Sequence, residues 1–403
     1  MKWDKIKLGE CCEKIGSGST PKGGGKVYVE NGTALIRSQN IYNLRFDYEG
    51  LVYINDETAQ KLNGVTVKEN DVLINITGDS VARTCVVPRD VLPARVNQHV
   101  SIIRPNNNIL QTKFLNYYLA SPSMQALMLG LAVGKGASRN AMTKNMISEF
   151  EIPCPPIAIQ QKIASILSAY DDLIDNNRRQ IKLLEEAAQR LYKEWFVDLR
   201  FPGHEDVKII DGVPEGWKKV FLADIADVVM GQSPKSEFYN HVNNGLPFHQ
   251  GVGSYGERFV KNSTYSTSYT KIATSGSILF SVRAPVGRLN LTKDKIVIGR
   301  GLSAINHKEG MQSYLFYLLK KKFFRDNLVG NGSIFASISK DELLRQTLTI
   351  ATDNIIEKFN DIASVFDKKI EILDEQIKFL SEARDRLLPK LMSGEISLEE
   401  MKS

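Results

Sequence analysis

The sequence predicts an α+β fold: two similar mixed α/β domains separated by two long helices that pair as an antiparallel coiled coil, giving a pseudo-two-fold internal repeat. Three observations lead there. Short motifs of the first 155 residues recur in the same order further along the chain. An apolar heptad frame closes each copy. Formal charge also alternates with the copies: +4 over residues 1–155, −2 over 156–213, +7 over 214–353 and −3 over 354–403.

The repeat is weak at any one position but ordered. Leu8-Gly9-Glu10 and Gly18-Ser19-Thr20-Pro21 match Leu222-Ala223-Asp224 and Gly231-Gln232-Ser233-Pro234. Asp71-Val72-Leu73-Ile74 matches Ser277-Ile278-Leu279-Phe280, and Val81-Ala82-Arg83 matches Val286-Gly287-Arg288. Leu115-Asn116-Tyr117 matches Leu315-Phe316-Tyr317; Gly136-Ala137-Ser138 and Lys144 match Gly332-Ser333-Ile334 and Lys340. The offset shrinks along the chain and settles at 196, as loop-length differences between two copies would produce.

The helices follow from a seam repeating every 3.5 residues. In the first copy the seam is Ile163, Leu167, Tyr170, Ile174, Asn177, Ile181, Leu184, Ala188, Leu191 and Trp195. In the second it is Phe359, Ala363, Phe366, Ile370, Leu373, Ile377, Leu380, Arg384, Leu387 and Leu391. Only Asn177 and Arg384 break the apolar pattern; a seam asparagine costs stability but fixes register. Pro156 precedes the first helix, and Pro389 and Gly394 mark the end of the second. Helices of about 33 residues would be roughly 50 Å long. The first leads from domain one to domain two, so a paired second helix must run back. The expected layout is a first domain over 1–155, a helix over 156–200, a linker and second domain over 201–353, and a second helix over 354–403.

Within the domains, short alternating strands such as Val65-Thr66-Val67 and Asp71–Ile76 are expected between Gly, Asn and Asp turns, with helices near 112–129 and 312–327. No apolar run approaches membrane-spanning length, and the charged start has no apolar signal core behind it, so a cytoplasmic protein is expected. Cys11, Cys12, Cys85 and Cys154 read as reduced thiols, and the five histidines form no ligand pattern. Gly23-Gly24-Gly25-Lys26 runs into Val27 and fails as a nucleotide loop; Gly16-Ser17-Gly18-Ser19-Thr20 runs into Pro21 and fails as a dinucleotide fingerprint. No Asn-Pro-Pro-aromatic motif is present. The expectation is a protein that is not an enzyme and carries no metal or cofactor of its own.

The basic globular segments point to a polyanion. Arg pairs with guanine and Asn or Gln with adenine in the major groove. In domain one the candidate DNA contacts are Arg37, Gln39, Asn40, Arg83, Asn97, Gln98, His99, Lys135, Ser138, Arg139 and Lys144. In domain two they are Lys235, His249, Gln250, Arg283, Arg288, Arg300, Ser333 and Lys340.

These residues also carry a resemblance. Val213-Pro214-Glu215-Gly216-Trp217 before Leu222-Ala223-Asp224-Ile225, the Gly-x-[ST]-Pro segments at Gly18 and Gly231, and the run Gly276–Gly287 are similar to target-recognition domains of Type I restriction-modification specificity subunits. Ile159-Gln160-Gln161-Lys162-Ile163 and Leu387–Ile396 resemble that family's central and C-terminal spacers. Domain one departs by keeping only Trp3 of the Pro-x-Gly-Trp lead, and the second helix opens with Glu357-Lys358-Phe359. The resemblance implies that each domain reads one half of a split, asymmetric DNA site. It implies that the helix pair spaces the halves and docks two modification subunits and, through them, restriction subunits. S-adenosylmethionine, ATP and Mg2+ would belong to those partners. The alternatives are a structural coiled-coil scaffold and a DNA-binding protein without restriction-modification partners.

Overall fold

The computed structural model describes residues 3–133, 141–323 and 337–396. The chain divides into two compact units, one of residues 1–178 and 375–403, the other of residues 179–374.

In the first unit a four-stranded sheet has the order Cys12–Ser17, Val100–Pro105, Val72–Asn75, Thr84–Val86. A five-stranded sheet has the order Tyr28–Val29, Val52–Ile54, Thr33–Ile36, Ala94–Val96, Thr66–Val67. Its Thr33–Ile36 and Ala94–Val96 strands pair in parallel. Lys5–Lys7 pairs with Glu151–Pro153 at the foot of the domain.

In the second unit the same orders recur. The four-stranded sheet runs Ala226–Met230, Leu302–His307, Ile278–Ser281, Leu289–Leu291. The five-stranded sheet runs Tyr239–Asn240, Tyr265–Ser266, Leu246–His249, Ile296–Ile298, Ile272–Ala273, again with its central pair parallel. Lys218–Phe221 pairs with Thr347–Ile350.

The segment 72–75 was expected to alternate, yet all four residues are buried. Val72 and Ile74 enter one apolar cluster and Leu73 another, so both faces of this central strand are covered. Beside it Asp71, fully buried, receives both Nε (2.7 Å) and Nη2 (2.8 Å) of Arg104. The helix expected near 112–129 is two, Thr112–Ala120 and Pro122–Ala132. Pro122 has no N–H to continue the first, and it keeps Ser121 extended.

The long helices are Ile157–Phe196 and Asp353–Ser393, of 40 and 41 residues, longer than the seam alone suggested. Pro389 lies inside the second helix rather than ending it. The lost hydrogen bond is tolerated because Leu388, Leu391 and Met392 around it are packed into the first unit's main core. The helix stops at Gly394, whose φ of 70° suits glycine.

Every seam position is buried or half-buried. In the first unit Asn177 Nδ2 donates to Gln376 Oε1 at 3.2 Å, and Arg384 Nη1 reaches Asp171 Oδ1 at 2.5 Å. One number rises as the other falls, so the helix segments in this unit are antiparallel. Both polar seam residues are thereby partnered. In the second unit Ala188, Tyr192 and Trp195 share a core with Phe359 and Ala363, and the Trp195 and Phe359 rings lie 6.0 Å apart.

Candidate nucleic-acid interface

The same backbone scaffold is built in each unit and positions several of the candidate residues there. In the first unit Gly18 N–H donates to Val100 O (2.8 Å) and Ser19 N–H to Val96 O (3.0 Å). In the second, Gly231 N–H donates to Leu302 O (2.9 Å) and Gln232 N–H to Ile298 O (2.9 Å). These contacts press the Gly-x-[ST]-Pro loop onto the turn that enters the next strand. The approach is too close for a side chain: a Cβ on Gly18 would stand 2.2 Å from Asn97 O, and one on Gly231 2.1 Å from Gly299 O. Asn97 N–H donates to Ile36 O (3.0 Å) as Gly299 N–H does to His249 O (2.8 Å). Ile76 N–H donates to His99 O as Val282 N–H does to Gly301 O. Asn75 N–H donates to Arg83 O as Ser281 N–H does to Arg288 O. Ala82 and Gly287, in equivalent places, both have left-handed backbone, with φ of 73° and 88°.

The scaffold therefore puts four side-chain positions in correspondence: 37 with 250, 77 with 283, 83 with 288 and 98 with 300. In the first unit they hold Arg37, Thr77, Arg83 and Gln98. In the second they hold Gln250, Arg283, Arg288 and Arg300. Only the Arg83/Arg288 position is chemically shared.

In the first unit a cleft of about 580 Å³ opens here, lined by Gln39, Tyr42, Thr77, Asp79, Arg83 and His99 among others. Arg83 lies over the Tyr42 ring at 4.6 Å, and Arg45 lies over the same ring at 4.9 Å. Thr77 Oγ1 and His99 Nδ1 are hydrogen-bonded at 2.6 Å, and Gln98 Nε2 is 3.4 Å from His99 Nε2. Arg37 donates to Gly50 O and lies 5.6 Å from the Tyr28 ring centroid. Cations fixed on aromatic faces, exposed amides and a histidine are groups suited to phosphates and base edges.

In the second unit Arg283, Arg288, Gln250 and Arg300 are exposed. Gln250 Oε1 accepts from Ser233 Oγ at 2.8 Å, and that hydroxyl oxygen accepts from Arg300 N–H at 3.2 Å. Lys235 is exposed 3.9 Å from Glu237. Lys144 and Lys340 are exposed first residues of short helices capped by Thr143 and Ser339, and Lys144 is outside the cleft lining.

Three candidates are internal struts instead. Asn40 is fully buried; its Oδ1 accepts from Arg37 N–H, and its Nδ2 donates to Asp47 O and Glu49 O. His249 is 1% exposed between Ser254 Oγ and Asn262 Oδ1, and burial pushes its pKa down. Asn97 is 8% exposed, its Oδ1 accepting from His99 N–H. Residue type marked all three, but burial assigns their polar atoms to loop shape. Lys135, Ser138, Arg139 and Ser333 lie outside the described residues. Tyr42 and Arg45 escaped the sequence reading; the only signal was an aromatic-basic hairpin just after the Arg37–Asn40 run.

Among the described residues no three His, Cys, Asp or Glu side chains are grouped to hold a metal ion, and no helix is long and apolar enough to cross a membrane. The Type I restriction modification DNA specificity domain model matches residues 1–186 and 214–381. The chain is 26% identical over 420 residues to the type I restriction enzyme MjaIX specificity subunit of Methanocaldococcus jannaschii, covering 99% of this chain and 94% of that one. It is 23% identical over 435 residues to the HindI specificity subunit of Haemophilus influenzae, covering 90% and 94%. Its fold is similar to the crystal structure of a Type-I restriction-modification system S subunit from M. genitalium, with a TM-score of 0.59 at 15% identity over 96% of each chain.

Proposed function

The chain belongs to the Type I restriction-modification DNA specificity family, whose members are non-catalytic DNA-recognition components, and from that premise we propose that its two units each read one half of a bipartite, asymmetric DNA site. The observation that carries this is the correspondence of positions 37/250, 77/283, 83/288 and 98/300. One scaffold holds different hydrogen-bonding groups in its two copies, which is what two unlike half-sequences require. The shared arginine suits a phosphate, which is the same in every sequence.

The long helices act in this reading as an antiparallel coiled coil that spaces the half-sites. Its repeated outer faces would dock two modification subunits, with restriction subunits beyond them and the whole assembly cytoplasmic. S-adenosylmethionine, ATP and Mg2+ would serve those partners.

Mapping methylated adenines in cells that express the chain with its modification subunit tests the proposal. The expected result is one bipartite motif with a fixed gap. Replacing residues 1–155 by the homologous domain of a relative should change one half and keep the other. Simultaneous loss of both halves in a folded, assembled chimera would refute independent reading.

Charge gives a second expectation. Arg83→Ala with Arg288→Ala, at the position both copies share, should weaken binding and flatten the dependence of log affinity on log salt by about 1 to 2 units. Band-shift titrations at several salt concentrations measure this. An unchanged slope with altered motif specificity would instead assign them to bases.

A further inference from the structure

Each unit contains a tyrosine–aspartate–arginine triad, its tyrosine buried and its aspartate partly buried, where its recognition domain meets a long helix. In the first unit Tyr117 (3% exposed), on the helix Thr112–Ala120, donates its hydroxyl to Asp171 Oδ2 on the first long helix. Asp171 Oδ1 is met at 2.5 Å by Arg384 Nη1 of the second long helix. In the second unit Tyr317 (2% exposed), on the helix Gln312–Phe323, donates to Asp367 Oδ1 on the second long helix at 3.3 Å. Asp367 pairs with Arg258.

Tyr117 and Tyr317 are repeat partners, and Asp171 and Asp367 are separated by the repeat offset of 196. The arginines are not equivalent. Arg384 comes from a helix, whereas Arg258 comes from the recognition domain itself. The position one offset before Arg384 is Ala188, so the same carboxylate is neutralised from two different directions.

Arg258 reaches further than its counterpart. Its Nη1 lies 3.4 Å from Glu185 Oε1 on the first long helix, and its guanidinium sits 4.4 Å from the Phe316 ring centroid. Its side chain is 3% exposed. The second domain is also held by Lys293, whose Nζ is 2.8 Å from Asp374 Oδ2. The first domain's counterpart of these charged links is the phenolic hydroxyl of Tyr117; Gln160 of the first long helix also holds it, accepting from Gln111 N–H (2.8 Å) and donating to Ile109 O (2.9 Å).

A carboxylate largely withdrawn from water loses much when a partner is removed, which makes such a contact poor at adding stability and good at fixing geometry. Apolar packing alone tolerates sliding by fractions of a residue; a three-way charged hydrogen-bond network does not.

We propose that the two triads are positioning devices that index each recognition domain on the long helices and so set the gap the protein accepts between half-sites. This rests on the bipartite reading above. The first domain, whose entry into the charged network is one hydroxyl, is the one whose placement a single conservative change loosens more.

The test uses the full chain co-purified with its modification subunit, and duplexes carrying the mapped half-sequences at the mapped gap and at gaps one base pair shorter and longer. Tyr117→Phe keeps the ring in the core and removes only the hydroxyl; Arg384→Met removes the charge, and Arg384→Lys keeps it without the guanidinium's planar fork of donors. In Tyr117→Phe and Arg384→Met the preference for the mapped gap over its neighbours should fall about ten-fold, the equilibrium factor a hydrogen bond to a charged group is worth. Arg384→Lys should regain part of it. Tyr317→Phe, in a domain also held by Arg258 and Lys293, should change the preference less than Tyr117→Phe.

A purely structural role would lower affinity equally at all three gaps. An unchanged gap preference in folded Tyr117→Phe, beside a wild type that selects its gap, overturns the inference and leaves the bipartite reading standing. A wild type indifferent to gap overturns both.

Discussion

Gly18→Ala and Gly231→Ala should each destabilise the protein by on the order of 3 kcal/mol, although each adds a single methyl group. The added carbon would lie about 2 Å from a backbone carbonyl oxygen in the turn that directly follows a sheet strand, not from a side chain able to turn away. The loop must lift, and the hydrogen bonds from Gly18 to Val100 and from Gly231 to Leu302 go with it. Urea unfolding of the purified protein measures the loss. Gly130→Ala is the internal control. It lies in the helix Pro122–Ala132, where an added Cβ meets nothing within 4 Å, so alanine should stabilise by about 0.5–1 kcal/mol. Equal effects at Gly18 and Gly130 would show that the close approach is not rigid.

Lengthening both long helices by one heptad should move the preferred gap by up to roughly 3 base pairs. Insertions beside Asn177 and beside Gln376, which are bonded to each other, keep the seam in phase. Each helix gains about 10 Å, against about 3.4 Å per base-pair step. The added length also turns one domain around the duplex, so affinity should fall where the DNA must twist to follow. Methylation mapping with the extended protein reads the outcome. The original gap at full efficiency, in a protein of confirmed helical length, would assign spacing to the modification subunits.

What the sequence made legible was periodicity. The seam from Ile163 to Trp195 and from Phe359 to Leu391 was readable because burial along a helix has a fixed period, and every position in it is covered. The motif pair at Gly18 and Gly231 was readable for a similar reason: a backbone clash forbids other residues in both copies.

Burial of individual polar side chains was not legible. Nothing local distinguishes Asn40, stapled under a loop, from exposed Gln39. His249 looked like a reader because of its type, but its partners Ser254 and Asn262 are brought to it by the fold. Arg258 and Asp367 are 109 residues apart, a pairing that no window along the chain contains. Of the end markers Pro389 was misjudged, because it was weighed by propensity while tertiary packing of Leu388 and Leu391 decided the matter, and the helix runs on to stop at Gly394.

The division of the chain has a consequence for its synthesis. Residues 179–374 form one unit without interruption, whereas the other needs 375–403 to join residues made long before. On the ribosome the second unit can finish first. The earlier unit must wait with Ile163, Ala164 and Leu167 lacking the Leu388, Leu391 and Met392 that share their core. A product cut short before residue 387 would hold a finished second unit beside an unsealed first one. Its uncovered apolar face is what chaperones and proteases bind. The last turns of the second long helix thus close a core whose other half is made more than two hundred residues earlier.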